Sequence, residues 1–311
     1  MTYKFSTKLE SWIEQREISR KDLIALLQCE YYDIFDGLDL ITLSRWINGK
    51  SSPPLYKQLY IAKVLGINIT DIIKEVDISE QKSSSKAMTA VNLLSKALDF
   101  SISSFSYFKL PEHVISEVSE IRGAEYQNIF GEFNSNISCL SEFNKFLSTK
   151  DLLYTALLLK NDDGLIVGHW SGITNILPLN DSPHFLNLDK EMVRKSALVM
   201  PGYYANSKHY FELIIVAICY YLLKFSNEKD YVYFFIADFQ PMLSFCKVVF
   251  EAREVKYYRS SDNKMGMYLM KFNIIKAISN PVVLKDVQKK LLCLFNCDDK
   301  CNQCNLKNFL N

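Results

Sequence analysis

Four cysteines crowd the end of the chain: Cys293, Cys297, Cys301 and Cys304, at the spacing C-x3-C-x3-C-x2-C. Thiolates this dense suit a soft metal ion. Zinc is usually held by C-x2-C-like knuckles, and only Cys301 and Cys304 form one. The last three cysteines make an alternative ligand set for an iron–sulfur cluster. Zinc, an iron–sulfur cluster and four free thiols therefore stand as three readings of this tail. The other cysteines, Cys29, Cys139, Cys219 and Cys246, lie among apolar residues and are expected in the core. His169 ends an apolar run and reads either as a buried strand histidine or as a general base. Glu212 sits inside another apolar run and is either a perturbed acid or the partner of a polar neighbour. No Ser-His-Asp or Cys-His grouping stands out, so no catalytic residue is assigned.

The elements that must position these groups fall into two regions. A length of 311 residues accommodates two domains, and an apolar share of 49% is ample for two cores. The net charge of +1 gives no bulk attraction to nucleic acid. Residues 1–76 carry ten Lys/Arg against ten Asp/Glu, so any nucleic-acid affinity must come from a local patch. The start, Met1-Thr2-Tyr3-Lys4-Phe5, lacks the apolar core of a signal peptide. The most apolar long run, His209 to Phe225, contains Glu212 and is shorter than the ~20 residues of a membrane span. A cytoplasmic protein without a membrane partner is expected, with its cysteines reduced unless they hold a metal.

Residues 5–76 read as five short helices. Leu9, Trp12 and Ile13 mark the first apolar face; Leu23, Leu26 and Leu27 mark the second. A long acidic segment, Cys29 to Asp39, precedes the third, for which Asp39 is a candidate N-cap. Leu43, Trp46 and Ile47 share the buried side of that helix; Gly49 ends it and Pro53-Pro54 starts the fourth, whose stripe is Leu55, Leu59, Ala62 and Leu65. Residues 77–104 are expected to hold a Ser/Lys-rich linker and a connecting helix over Ala87–Phe100, used either for packing or for dimerisation.

From 105 to 290 helices and strands alternate. The pattern predicts a helix over 113–133 and strands over 152–160 and 165–173 around the hairpin signal Asn161-Asp162-Asp163-Gly164. It continues with a strand over 196–204, a long helix over 208–225, an aromatic strand over 231–239, a helix over 241–251, and a closing hairpin of 255–260 with 265–272. The cysteine-rich tail occupies 291–311. The fold class expected is multidomain: an all-α head followed by a mixed α/β domain.

The segment Thr42-Leu43-Ser44-Arg45-Trp46-Ile47-Asn48-Gly49-Lys50, with the helix that follows it, resembles the recognition half of the XRE (Cro/phage-repressor) helix-turn-helix family. That resemblance implies double-stranded DNA as partner, read by a homodimer on a near-palindrome. It places Leu40, Ile41, Thr42, Ser44 and Arg45 near the major groove, where Arg45 can pair with a guanine edge and Leu40 and Ile41 can touch thymine methyls. Asn48, Lys50 and Lys57 then lie along backbone phosphates.

The element order from about 113 to 272 resembles the GNAT acyltransferase fold. Glu117 to Tyr126 and Ile236 to Lys247 look most like the branch that makes acyl-homoserine lactones and N-acyl amino acids. The resemblance implies a carrier pyrophosphate held by backbone N–H groups at a helix N-terminus. The corresponding loop, Pro201 to His209, keeps one glycine, so its ligand contacts would come from Tyr203, Tyr204, Asn206, Ser207 and Lys208. Acyl-CoA or an acylated small molecule is the ligand class implied. The reading that follows is a transcription regulator whose GNAT-like domain or cysteine cluster senses a small molecule or a redox or metal state. The alternative is an acyl-CoA-dependent N-acyltransferase fused to a DNA-binding head.

Overall fold

Capping chemistry cuts the first part of the chain into helices. A computed structural model describes residues 3–78, 83–103, 114–180, 182–260, 265–297 and 304–306. The chain divides into two compact units, Met1–Lys82 and Ser83–Asn311. The first unit contains α1 (Phe5–Gln15), α2 (Arg20–Glu30), α3 (Tyr32–Phe35), α4 (Leu40–Ile47), α5 (Leu55–Val64) and α6 (Ile69–Glu75). Side chains of Ser19, Asp39 and Asn68 accept from the first-turn amides of α2, α4 and α6, satisfying donors that the helices cannot. Gly49, at φ +65°, closes α4: its N–H donates to the Trp46 carbonyl, and the Lys50 N–H donates to that of Arg45. Only a residue at ease in the left-handed region makes this cap cheaply.

Two expectations about this unit need correction. Residues 5–76 hold six short helices rather than five, the extra one lying in the acidic segment before α4. This is the turn α3, anchored by the fully buried Phe35 and by the Gln28 side-chain amide, which donates to the carbonyls of Phe35 and Leu38. Leu26 is 37% exposed, because Leu23, Ile24 and Leu27 define the buried face and Leu26 points about 100° away from its centre.

The second unit begins with α7 (Ser85–Ser103) and continues with β1 (Ile115–Arg122), α8 (Gly123–Ser135), α9 (Ser141–Ser148), β2 (Leu153–Lys160) and β3 (Ile166–Ile173). Then come α10 (Lys190–Arg194), β4 (Ser196–Val199), β5 (Tyr203–Tyr204), α11 (Ser207–Lys224), β6 (Tyr231–Ala237) and α12 (Gln240–Val249). The chain closes with β7 (Arg253–Tyr258), β8 (Met267–Asn273), α13 (Ile274–Ile278), α14 (Pro281–Phe295) and β9 (Cys304–Asn305). The sheet order is β7-β8-β6-β4-β3-β2-β1-β9, with β5 also on β3. Neighbours are antiparallel except β4 with β6 and β1 with β9.

Alternation along the strands gives the sheet two buried faces. Tyr154, Ala156, Leu198, Tyr233 and Phe235 share one core with Tyr126 and Phe130 of α8 and Phe143 of α9. On the opposite face Trp170 of β3 meets Tyr210 of α11 edge-on, Phe234 meets Phe272 edge-on, and Phe272 stacks on Phe250 beyond α12.

The helix expected over 113–133 is instead β1 followed by α8; residue 113 itself lies outside the described residues. Val114, Val118 and Ile121 fit a helical stripe, but the β-branched run is drawn into an eight-residue ladder with β2, from Ile115↔Lys160 to Arg122↔Leu153. The Glu117–Tyr126 segment therefore spans a strand and a helix start. The strand expected over 196–204 is broken after Val199, where Pro201, which lacks an N–H, interrupts the ladder. The predicted linker runs partly through 79–82, outside the described residues, and the connecting helix reaches Ser103.

Candidate functional site

The parallel pair β4–β6 is the point where the sheet opens. Pairing runs from Ser196↔Tyr231 to Val199↔Phe234 and stops. Beyond it β6 continues alongside β8 to Ala237↔Met267, while the other chain follows β3 as β5. The two strands thus part after four residue pairs. A cavity of about 470 Å³ occupies this parting and extends beneath α11.

Its walls explain its existence. Along α11, Tyr210, Ile214, Ala217, Ile218, Tyr221 and Phe225 line it, a single helical stripe running the length of the helix. Gly172 on β3, Ala197 on β4 and Ala217 on α11 replace the bulky residues that would close a helix–sheet interface. Trp170, Phe234 and Phe235 supply aromatic surface, and Lys229 supplies a cation. Gly202 lies at the parting, where a Cβ would overlap the Trp170 ring. The requirement at this glycine is close approach, since its φ is ordinary.

The loop residues expected to bind ligand are used differently. Of the five, Tyr204 alone lines the cavity. Tyr203 is 43% exposed and pairs with His169 on β3. Asn206 is the N-cap of α11, accepting from the His209 N–H at 2.8 Å. Ser207 donates its N–H and hydroxyl to the two carboxylate oxygens of Asp99, at 2.9 and 2.8 Å. Lys208 is exposed at the rim of the same turn. Where an anion would be expected, the N-terminus of α11 already holds a carboxylate from α7. Asp99 escapes a sequence reading because it acts across 108 residues.

His169 is a core residue. It sits on β3 with Phe130 and Phe133 rings at 4.5 and 4.7 Å, and burial lowers its pKa to about 4. It therefore stays neutral, and it does not line the cavity. Glu212 pairs with Lys290 of α14 at 2.6 Å and accepts from the Ser116 hydroxyl, which makes it a structural ion pair. Cys246 is fully buried, with its thiol held far above the usual range by burial. Its fellow core cysteine is Cys219; Cys29 is exposed and Cys139 half-buried, against expectation. Cys29 lies near the end of α2, away from that helix's buried face.

On the first unit, α4 presents Ile41 (67% exposed), Leu40 (41%) and Arg45 outward, with Thr42 and Ser44 half-buried. Arg20, at the start of α2, donates to the Ser44 hydroxyl at 3.2 Å and adds a cation beside this face that the motif did not reveal. Asn48 and Lys50 are exposed just past the helix. Lys57 is half-buried, its ammonium 5.6 Å from the Phe35 ring centre. Asp39 caps α4 and its pKa is lowered, first by the hydrogen bond from the Thr42 N–H.

Among the described residues, no group of three or more His, Cys, Asp or Glu could hold an ion, and the four-cysteine tail lies partly outside those residues. Cys293 is exposed on α14 and Cys297 follows its end. Cys301 lies outside the described residues, and Cys304 is described by its backbone, which pairs with Ser116 of β1. Among the described residues, no helix is long and apolar enough to cross a membrane.

No family model matches the sequence. No curated protein matches it either. Among solved structures, one described as a "putative phosphinothricin N-acetyltransferase" is similar over 51% of this chain and 98% of its own, at 9% identity and a TM-score of 0.32. A likeness at this level bears on neither substrate nor activity.

Proposed function

We propose that the chain is a ligand-responsive DNA-binding regulator: the second unit takes a long apolar, acyl-like ligand, and the first docks in the major groove through α4. The observation that carries this reading is the cavity under α11, mostly apolar and bordered by a helix N-terminus that Asp99 already fills. An acyl-carrier enzyme needs those N–H groups for its pyrophosphate. A sensor does not.

The exposed face of α4 supports the DNA role. Arg45 is free to point at a base edge, and Leu40 and Ile41 form an apolar surface suited to thymine methyls. One such head reads one half-site, so the working form in this reading is a dimer. The ligand shifts the spacing or mobility of the two heads by binding one state of the second unit more tightly than the other. Fluorescence anisotropy on DNA fragments selected by the protein, with and without hexadecanoyl or dodecanoyl ligands, tests this. Operator affinity that is the same with and without every such ligand would sink the regulatory half. A head that selects no sequence would sink the DNA half.

A second reading is favoured by the strand order. The run β1-β2-β3-β4, the parallel β6 and the β8–β7 hairpin follow the acyltransferase arrangement, and the β6 edge past Phe234 is open to a carrier. Acyl transfer requires coenzyme A to displace Asp99. If this reading holds, Asp99→Ala tightens coenzyme A binding and speeds thiol release from acyl-CoA in the presence of amine acceptors. No thiol release from either protein leaves the sensor reading.

A further inference from the structure

Among the described residues, the charged one in the cavity lining is Lys229. Lys229 is only 8% exposed, and its ammonium donates to the Arg194 carbonyl at 2.8 Å. An ammonium has three donors, so two remain unused. Glu228, its sequence neighbour, attracts the ammonium from a distance, but among the described residues no carboxylate forms a salt bridge with it. A buried cation without a carboxylate in direct contact is costly to keep. This one lines a cavity whose surface is mostly apolar, with Asn136, Thr155 and Ser171 among its uncharged polar residues.

The position of Lys229 within the sleeve decides what it suits. Lys229 follows the end of α11 and precedes β6, next to Phe225 at the far end of the lining stripe. The strand parting is at the other end, near Tyr210. At a rise of ~1.5 Å per residue, Tyr210 and Phe225 stand about 22 Å apart along the helix. A zigzag of ~1.5 Å carbon–carbon bonds advances ~1.3 Å per atom, so this length accommodates roughly 16 carbons.

We propose that the cavity binds a long-chain carboxylate, its head paired with Lys229 and its tail laid under α11 towards the parting of β4 and β6. This rests on the reading of the cavity as a ligand site and goes beyond it by naming the ligand's charge and its direction. A single ammonium with two spare donors matches one carboxylate, which accepts through two oxygens. The polarity is the reverse of a carrier-bound acyl group, whose polar end would lie at the parting.

Isothermal titration of the full chain with hexadecanoate and with hexadecan-1-ol separates these ideas. The tails are equal, and only the acid carries a charge. The acid is expected to bind at least tenfold more tightly. Lys229→Met should weaken the acid by about that factor and leave the alcohol unchanged, whereas Lys229→Arg should keep the preference for the acid. Equal affinities for acid and alcohol in the wild-type protein would overturn the assignment of Lys229 while leaving the cavity a ligand site. So would a preference that survives in Lys229→Met. If neither compound binds, the cavity reading fails and this proposal with it. The wild-type comparison requires no variant to fold.

Discussion

Replacing Asp99 by alanine should loosen the start of α11 and the grip of α7 on it. The carboxylate accepts the Ser207 N–H at 2.9 Å and the Ser207 hydroxyl at 2.8 Å. Hydrogen bonds to a charged acceptor contribute about 1.5–3 kcal/mol each in favourable settings. Here Asp99 and Ser207 are both half-buried, so water recovers part of that on mutation. The favourable placement of a negative charge at a helix N-terminus adds about 0.3–1 kcal/mol. The net expectation is a loss of about 1–3 kcal/mol. Urea unfolding of the full chain, followed by circular dichroism, measures it. Hydrogen exchange of a peptide covering 203–213 localises it, because the Ser207 amide should lose protection. A double-mutant cycle with Ser207→Ala isolates the pair, with an expected coupling of about 1 kcal/mol. A coupling near zero, or unchanged exchange at Ser207, would refute the claim that Asp99 holds this helix end.

Further outcomes can be checked independently. His169, with a pKa of about 4 in the fold, titrates near 6.5 once unfolded, so the unfolded chain takes up the proton first as the pH falls. This group's contribution is therefore lost between about pH 6.5 and 4, by ~2 kcal/mol from pH 7 to pH 5. His169→Phe should flatten the pH dependence of the urea midpoint by that amount, and identical slopes for the two proteins would rule the effect out. Arg45→Ala should cost about 1–3 kcal/mol of discrimination at one base pair in competition anisotropy. An equal loss on every sequence would make Arg45 a phosphate contact. Gly202→Ala drives a Cβ into Trp170 and should destabilise the second unit by about 1–3 kcal/mol; a midpoint matching the wild type would show that the parting is looser than described.

How far the sequence carried the reading depends on how local each interaction is. The Asp39 cap of α4, the glycine stop at Gly49 and the stripe Leu43, Trp46 and Ile47 all act within about one turn, and all were legible; the caps Ser19 and Asn68 of α2 and α6 are equally local but were not singled out. So was the alternation of β2 and β3 around the turn at Gly164. The strand β1 was not, because its apolar spacing suits a helix equally well and only the ladder with β2 decides between them. Of the loop residues expected to bind ligand, Tyr204 lines the cavity, whereas Tyr203 pairs with β3, Asn206 and Ser207 cap and brace α11, and Lys208 is exposed.

By itself, then, the sequence determined the helical character of residues 5–75, the strand-and-helix succession after 150, and the exposed set on α4, since these follow from periodicity and capping. The tertiary structure alone decided where the sheet parts, that Gly172, Ala197 and Ala217 line one cavity, that Asp99 fills the N-terminus of α11, and that Lys229 is buried without a direct ion pair. The physical reason is separation along the chain. A cap or a stripe is enforced by neighbours a few residues away, whereas a cavity and its charge are set by which distant side chains the sheet order brings together.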